Sequence, residues 1–414
     1  MFAGFQGRRV IDRLKQAHVL AAAVAALVLV AGCSRQSPTS PAKLGSSAGV
    51  SAHAPGGLGA SIIGEAVHIE GSTGPGALYA LDKPAEWNGD LVLYLHGYSD
   101  PNSPVALPNN GAIRDRLLAA GFAVATSSFS ENGYAVPEAM RQSHQLRGLF
   151  VSRVANPNRV FLFGISLGGI IGMELAEKFP QQYDGAFLAS GVVGGTRAEL
   201  EYISDTKVLF DVLFPTVHLG GLYDPIPLTN PNTQLIIPVS LAVQANPTNL
   251  GILNLITRHP LAGNNGTELT TSLITVLGFQ MQGAGDLLDR THGHGFFDNT
   301  GYAYTGPLPP AVTGPINAGV ARYQSTADAR TWMDHYGEPS GELRIPVLTI
   351  HNTRDPVVPY FHEGLLLGAV QASGFGDNLA QRSKNSYGHA AFTPDELVQN
   401  FQDLVHWVDT GVKP

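Results

Sequence analysis

A serine set between glycines is the first residue that could do chemistry. Gly164-Ile165-Ser166-Leu167-Gly168 fits G-x-S-x-G and sits where the apolar run 160–163 gives way to a helical pattern over 167–179. A strand–turn–helix junction forces strained backbone at the serine and lifts its hydroxyl above a helix N-terminus. A second match, around Ser47, has no strand before it and no helix after it, so it lacks that context. A serine hydroxyl is a poor nucleophile until a base takes its proton. Among 14 histidines, position selects His389, in Tyr387-Gly388-His389-Ala390, after the last strand pattern and before the closing helix. His351, at a strand end, and His362, near a helix start, are weaker candidates. An imidazole base needs an acid to hold its tautomer. Asp355 stands just past a strand end, in a loop stiffened by Pro356 and Pro359. Asp184 precedes its strand and belongs to the opposite edge of a sheet.

These side chains need a scaffold, and the chain alternates in a way that supplies one. Strand patterns fall at 61–70, 77–81, 90–95, 122–126, 160–163, 185–190, 345–350 and 378–385. Helical patterns fall between them at 112–120, 137–154, 167–179, 361–373 and 394–408. Strand alternating with helix predicts a mainly parallel sheet covered on both faces. The alternation lapses between about 195 and 343, where helical patches at 207–214, 250–258 and 269–282 are separated by proline-rich breaks. A helical insertion in one α/β domain is the expectation.

The chain order Ser166, Asp355, His389 resembles that of the α/β-hydrolase superfamily. The stretches Tyr94-Leu95-His96-Gly97-Tyr98, Thr353-Arg354-Asp355-Pro356 and Gly388-His389 are similar to those of secreted bacterial serine esterases, of the feruloyl-esterase or tannase-like branch or the prolyl-oligopeptidase-like branch. The resemblance covers about 77–195 and 345–407. It implies the α/β-hydrolase fold with a large helical lid, and cleavage of carboxylic esters through an acyl-enzyme. It also implies an oxyanion hole made by the backbone N–H of Leu167 and of Tyr98. His96-Gly97-Tyr98 departs from the His-Gly-Gly-Gly form of some lipases and esterases. A secreted serine aminopeptidase is the alternative activity; it would need carboxylates to grip a substrate amine, and Glu131, Glu199, Glu201 and Asp224 are loose candidates. A non-catalytic cell-surface binding protein on the same fold is the alternative of another class.

Composition narrows the partners. Hydrophobic residues make up 44% and charged residues 14%, with a formal net charge of -8. No basic run follows the N-terminal segment, so nucleic acid is not an expected partner. Arg8, Arg9, Arg13 and Lys15 precede an apolar stretch over 19–31, and Val30-Ala31-Gly32-Cys33 resembles the bacterial lipobox. That implies lipidation of Cys33, export, and a lipoprotein of the cell envelope, at the outer membrane or cell surface. Cys33 is the only cysteine; with lipid on it, no disulfide and no thiol nucleophile would remain. His292 and His294 lie at i, i+2 without a third ligand at the usual spacing, and Asp286, Asp289 and Asp298 form no EF-hand pattern. No metal or other cofactor is expected. The expected organisation is a signal segment over 1–33, a flexible linker over 34–60, the core over 61–195 and 345–414, and a lid over 196–344.

Overall fold

The computed structural model describes residues 64–414. Cys33, Ser47 and the leader and linker readings lie outside the described residues. Eight strands form one sheet: β1 (Val67–Thr73), β2 (Ala77–Lys83), β3 (Asp90–Leu95), β4 (Ala123–Ser127), β5 (Arg159–Ile165), β6 (Gly185–Ala189), β7 (Val347–Arg354) and β8 (Leu379–Tyr387). Their order is β1-β2-β4-β3-β5-β6-β7-β8. From β4 to β8 all pairings are parallel, while β1 and β2 join antiparallel.

Period-two alternation divides the strand side chains between two cores. Leu91, Leu93, Leu95 and Leu162 face one side; Val92, Tyr94, Phe161 and Phe163 face the other. The first side is covered by α2 (Val136–Arg153), α3 (Leu167–Lys178) and α10 (Phe361–Ser373). The second is covered by α1 (Gly111–Ala119) and α11 (Pro394–Thr410), whose Phe401 packs edge-on against Phe122 and Phe161. Helix α11 opens with a capping box in which Thr393 and Glu396 satisfy each other's backbone N–H.

Between β6 and β7 the chain is helical. It forms α4 (Thr196–Leu213), a π segment (Asn232–Ile236) running into α5 (Ile237–Ala245), then α6 (Pro247–Ile256), α7 (Gly266–Arg290), α8 (Pro310–Gly319) and α9 (Ala327–Tyr336). Helix α4 starts eleven residues before the apolar patch at 207–214. Its first turns bury Glu199, Asp205 and Lys207, so their charges conceal the helical period. Each is partnered: Asp205 takes two bonds from Arg258, and Lys207 donates to Asp211 and to the Gly220 carbonyl. Strand β7 likewise runs past Ile350 through the polar residues to Arg354, because His351 and Asn352 are buried against partners from other elements.

Candidate active site

Five non-glycine residues among those described have positive φ, and four follow strand ends at one edge of the sheet. They are Phe129 after β4, Ser166 after β5, Ser190 after β6 and Ala390 after β8. Strain of this kind persists where the surrounding structure over-determines it. Ser166 has φ 59° and ψ -122° at the head of α3. Its N–H donates to the Ala189 carbonyl at 3.1 Å, and its own carbonyl accepts from Gly169 at 2.8 Å. A Cβ on Gly97 would lie 3.1 Å from Ser166 Cβ, and one on Gly168 would strike the Leu95 carbonyl oxygen. The glycines thus allow the loop after β3, the serine turn and α3 to close on one another. Strand order reverses between β3 and β5, and the crevice at the carboxyl ends of such strands is where open α/β sheets bind ligands.

Asp355 and His389 meet at the same edge. His389 Nδ1 donates to Asp355 Oδ2 at 2.8 Å and approaches Oδ1 at 3.0 Å. Asp355 is fully buried, and its Oδ1 also accepts the N–H groups of Val357 at 2.9 Å and Val358 at 3.1 Å. Three donors therefore fix the carboxylate behind the ring, and Nε2 is the imidazole nitrogen left to take a proton. Among the described residues neither Ser166 Oγ nor His389 Nε2 makes a hydrogen bond.

Asn352 on β7, which sequence reading passed over, ties the serine side to the histidine side. Its Oδ1 accepts Ser190 Oγ–H at 3.1 Å and Ala391 N–H at 2.9 Å, while its Nδ2 donates to Ser386 Oγ at 2.7 Å. Ser190 follows Ala189, the residue that holds the Ser166 N–H, and Ala391 lies two residues beyond His389. Asn352 lies past the apolar run 345–350, among the polar residues 351–354, so no local signal marked it.

His351 and His362 are core residues with assigned partners. His351 Nδ1 faces Glu363 Oε1 at 3.1 Å and Nε2 faces the Val358 carbonyl at 2.7 Å, so an acceptor stands at each nitrogen. An acceptor at each nitrogen favours the doubly protonated, cationic ring. Burial opposes that charge, but the hydrogen bond and charge of Glu363, followed by the charge of Asp355, outweigh it and raise the His351 pKa. Glu363 is completed by Thr349 Oγ1 at 2.5 Å and Gln381 Nε2 at 2.6 Å. His351 Nε2 is 3.8 Å from Asp355 Oδ2, so this cation backs the acid that holds His389. His362 is the opposite case. Its Nδ1 accepts Gly194 N–H at 3.1 Å and its Nε2 donates to Glu199 Oε2 at 2.9 Å, which makes it neutral. Burial, then the cation at His351, pull it down to about 3. Burial, then Asp355, push Glu199 up to about 8.

His96 closes the site below the β3 loop. Its ring stacks on Phe129 with centroids 3.9 Å apart, its Nδ1 donates to the Gly97 carbonyl at 2.7 Å, and burial lowers its pKa to about 4. Helix α7 roofs the edge. Toward β8, its Ser272 hydroxyl meets Tyr387 Oη at 3.1 Å. Toward β3, Phe279 meets Tyr98 edge-on with centroids 6.0 Å apart, and Gly283 leaves room for the Tyr98 hydroxyl. Residues 272 to 283 span about 16 Å of helix, close to the roughly 19 Å of four strand spacings from β8 to β3. Beyond them, Asp286 accepts Tyr134 N–H at 2.6 Å and pins the far end.

The remaining candidates lie elsewhere. Asp184 accepts the Val160 N–H at the start of β5, the opposite edge. Glu131 is 3.5 Å from Arg290 and Glu201 is 2.8 Å from Arg258, so arginines neutralise both. Asp224 stands in a tight turn closed by a bridge between Gly220 and Pro225. His292 is exposed, and His294 pairs with Asp328 at 3.2 Å.

The sheet order, the helices on both faces and the serine turn after β5 are those of the α/β-hydrolase fold. The structure is similar to feruloyl esterase B from Aspergillus oryzae, with TM-score 0.51 and 13% identity, over 84% of this chain and 82% of that one. Another esterase from Aspergillus oryzae aligns at TM-score 0.46 and 14% identity, over 84% of this chain and 80% of that one. Pyrococcus horikoshii acylaminoacyl peptidase aligns at TM-score 0.44 and 10% identity, over 85% of this chain and 42% of that one. No protein-family model and no curated protein matches the sequence.

Proposed function

We propose that the protein is a serine hydrolase that cleaves carboxylic esters. The observation that carries this reading is the His389–Asp355 pair at the sheet edge that also bears the strained Ser166. In the proposed cycle Ser166 Oγ attacks the ester carbonyl carbon as its proton passes to His389 Nε2. Asp355 accepts the Nδ1–H and stabilises the imidazolium; general-base help of this kind contributes about 10²–10⁴-fold. The N–H groups of Leu167 and Tyr98 donate to the oxyanion, each worth roughly 10²–10³ in rate. Leu167 is the first residue of α3, whose leading N–H groups have no acceptor within the helix. His389 then protonates the leaving alcohol, and water releases the acyl group from Ser166 by the same relay in reverse.

The test is covalent labelling by a fluorophosphonate, together with turnover of p-nitrophenyl esters and of aminoacyl anilides. Labelling at Ser166 and ester turnover, both abolished in Ser166→Ala with the fold intact, are expected. Turnover of anilides alone would favour an aminopeptidase, and no adduct on folded protein would favour a binding role. Membrane anchoring through a lipid on Cys33 is proposed separately; Cys33→Ser should then move the protein out of the membrane fraction.

A further inference from the structure

Arg147 is an unusual cation in this molecule. The chain has 33 acidic residues against 25 basic ones. Among the described residues, the other arginines each have an acidic, carbonyl or aromatic partner; Arg330 donates to the Ser325 carbonyl, for example, and Arg153 lies over Tyr79. Arg147 has none, and its Nε–H is buried without an acceptor. A donor left in that state is costly, and more so when it is charged.

Arg147 is one of the residues lining an open cavity of about 470 Å³ on the outer side of α2, between the end of β1 and the connection from α3 to β6. Its walls include His144, Gln145, Gln182 and Thr73, with Leu149 as an apolar surface, and no carboxylate contributes to them. The field of Arg147 reaches its neighbours: burial and then Arg147 lower the His144 pKa, and Arg147 partly offsets the rise that burial imposes on Tyr183. His144 Nδ1 is engaged by Tyr183 Oη at 3.1 Å, and its ring packs on Phe179 with centroids 4.7 Å apart. The cavity is large enough for a small ligand. The Nη groups of its one cation can pair with one carboxylate, its amides and hydroxyls can bond further oxygens, and Leu149 accepts an apolar body. None of these residues belongs to the Ser166 site.

We propose that this cavity is a binding site for a small organic monocarboxylate, held by Arg147. A single cation balances a single negative charge, which favours a carboxylate over a phosphate dianion. The probes are benzoate, its neutral analogue benzamide and inorganic phosphate, titrated into the full chain by calorimetry with the His144 ring resonances followed by NMR. Benzoate should bind saturably and shift the His144 resonances, with benzamide at least about tenfold weaker. Arg147→Gln should weaken benzoate roughly tenfold to a hundredfold, the loss expected for one charge-assisted contact, and leave benzamide unchanged. Arg147→Lys should fall between, since charge remains but the fork does not. Benzoate binding that leaves His144 unmoved, phosphate binding as tight as benzoate, or full affinity in a folded Arg147→Gln variant would each overturn the proposal. The His144 readout needs only the wild-type chain, so it stands even if the variant does not fold.

Discussion

Glu199→Gln separates the cost of a buried charge from the packing around it. Glu199 shares a hydrogen bond with His362, whose Nδ1 is occupied by the Gly194 N–H. His362 is neutral in that arrangement and does not compensate an ionised Glu199, and the charges at His389, His259 and His351 offset burial only in part. Burial, with Asp355 adding to it, moves the carboxyl from 4.5 to about 8. A shift of that size, at 1.36 kcal/mol per pH unit, corresponds to about 5 kcal/mol. The sign follows from proton counts. Below pH 4.5 both folded and unfolded chains hold the proton, and Glu199 contributes no pH dependence. Between 4.5 and 8 the unfolded chain has released it and the folded chain retains it, so stability falls as pH rises; above 8 the cost is constant. His362 works the other way, because its folded pKa is depressed from 6.5 to about 3. Its neutral form adds stability that is present above pH 6.5 and is lost as pH falls toward 3. The wild type should therefore gain stability from pH 3 to 4.5, hold level to 6.5 and lose it toward 8, as far as these two groups decide. Gln keeps the acceptor for His362 and cannot ionise. Urea unfolding at pH 5 and pH 8.5 should show the variant losing about 3–5 kcal/mol less than the wild type between the two. Parallel pH profiles for the two chains would refute the reasoning, since they would mean that Glu199 does not keep its proton on folding.

Asp355→Asn replaces an acceptor facing His389 Nδ1 with an amide that can present a donor. The wrong imidazole tautomer should lower kcat about 10³–10⁴-fold, read in p-nitrophenyl ester turnover, with fluorophosphonate labelling slowed in step. Glu363→Gln strips a cationic His351 of its nearer counter-charge and leaves only Asp355 at 3.8 Å, and urea unfolding at pH 6 should report a loss of about 3–5 kcal/mol; a loss under about 1 kcal/mol would mean that His351 is neutral. Gly168→Ala sets a methyl against the Leu95 carbonyl oxygen where backbone cannot yield. A lowered melting temperature, with loss of both labelling and turnover, is expected; wild-type activity would show that α3 and the end of β3 are less tightly joined than the structure has them.

Much of the scaffold around Ser166 was legible because local rules decide it. The apolar β5, the glycines at 164 and 168 and the helical period of α3 are neighbours in sequence, and steric limits on the turn leave few alternatives. That Asp355 and His389 come together beyond β7 and β8 was legible from their position past strand ends. Helix α4 was half hidden, because Glu199, Asp205 and Lys207 break its apolar stripe and find partners far along the chain. His351 and His362 offered the same residue type as His389 at similar positions. Only their surroundings separate them: two acceptors around one ring, a donor and an acceptor around the other, and a partly exposed ring for His389.

Residue order and local pattern by themselves determined the strand–helix rhythm, the glycine-flanked turn and the placing of Ser166, Asp355 and His389 after strand ends, since these depend on steric and hydrophobic periods within a few residues. Tertiary structure alone decided which partners face each histidine, that Asn352 joins the two halves of the site, that α7 spans from Tyr387 to Tyr98, and that Arg147 stands unpaired beside a cavity. Those outcomes depend on burial and on partners brought together from distant parts of the chain, and both exist only once the sheet has assembled.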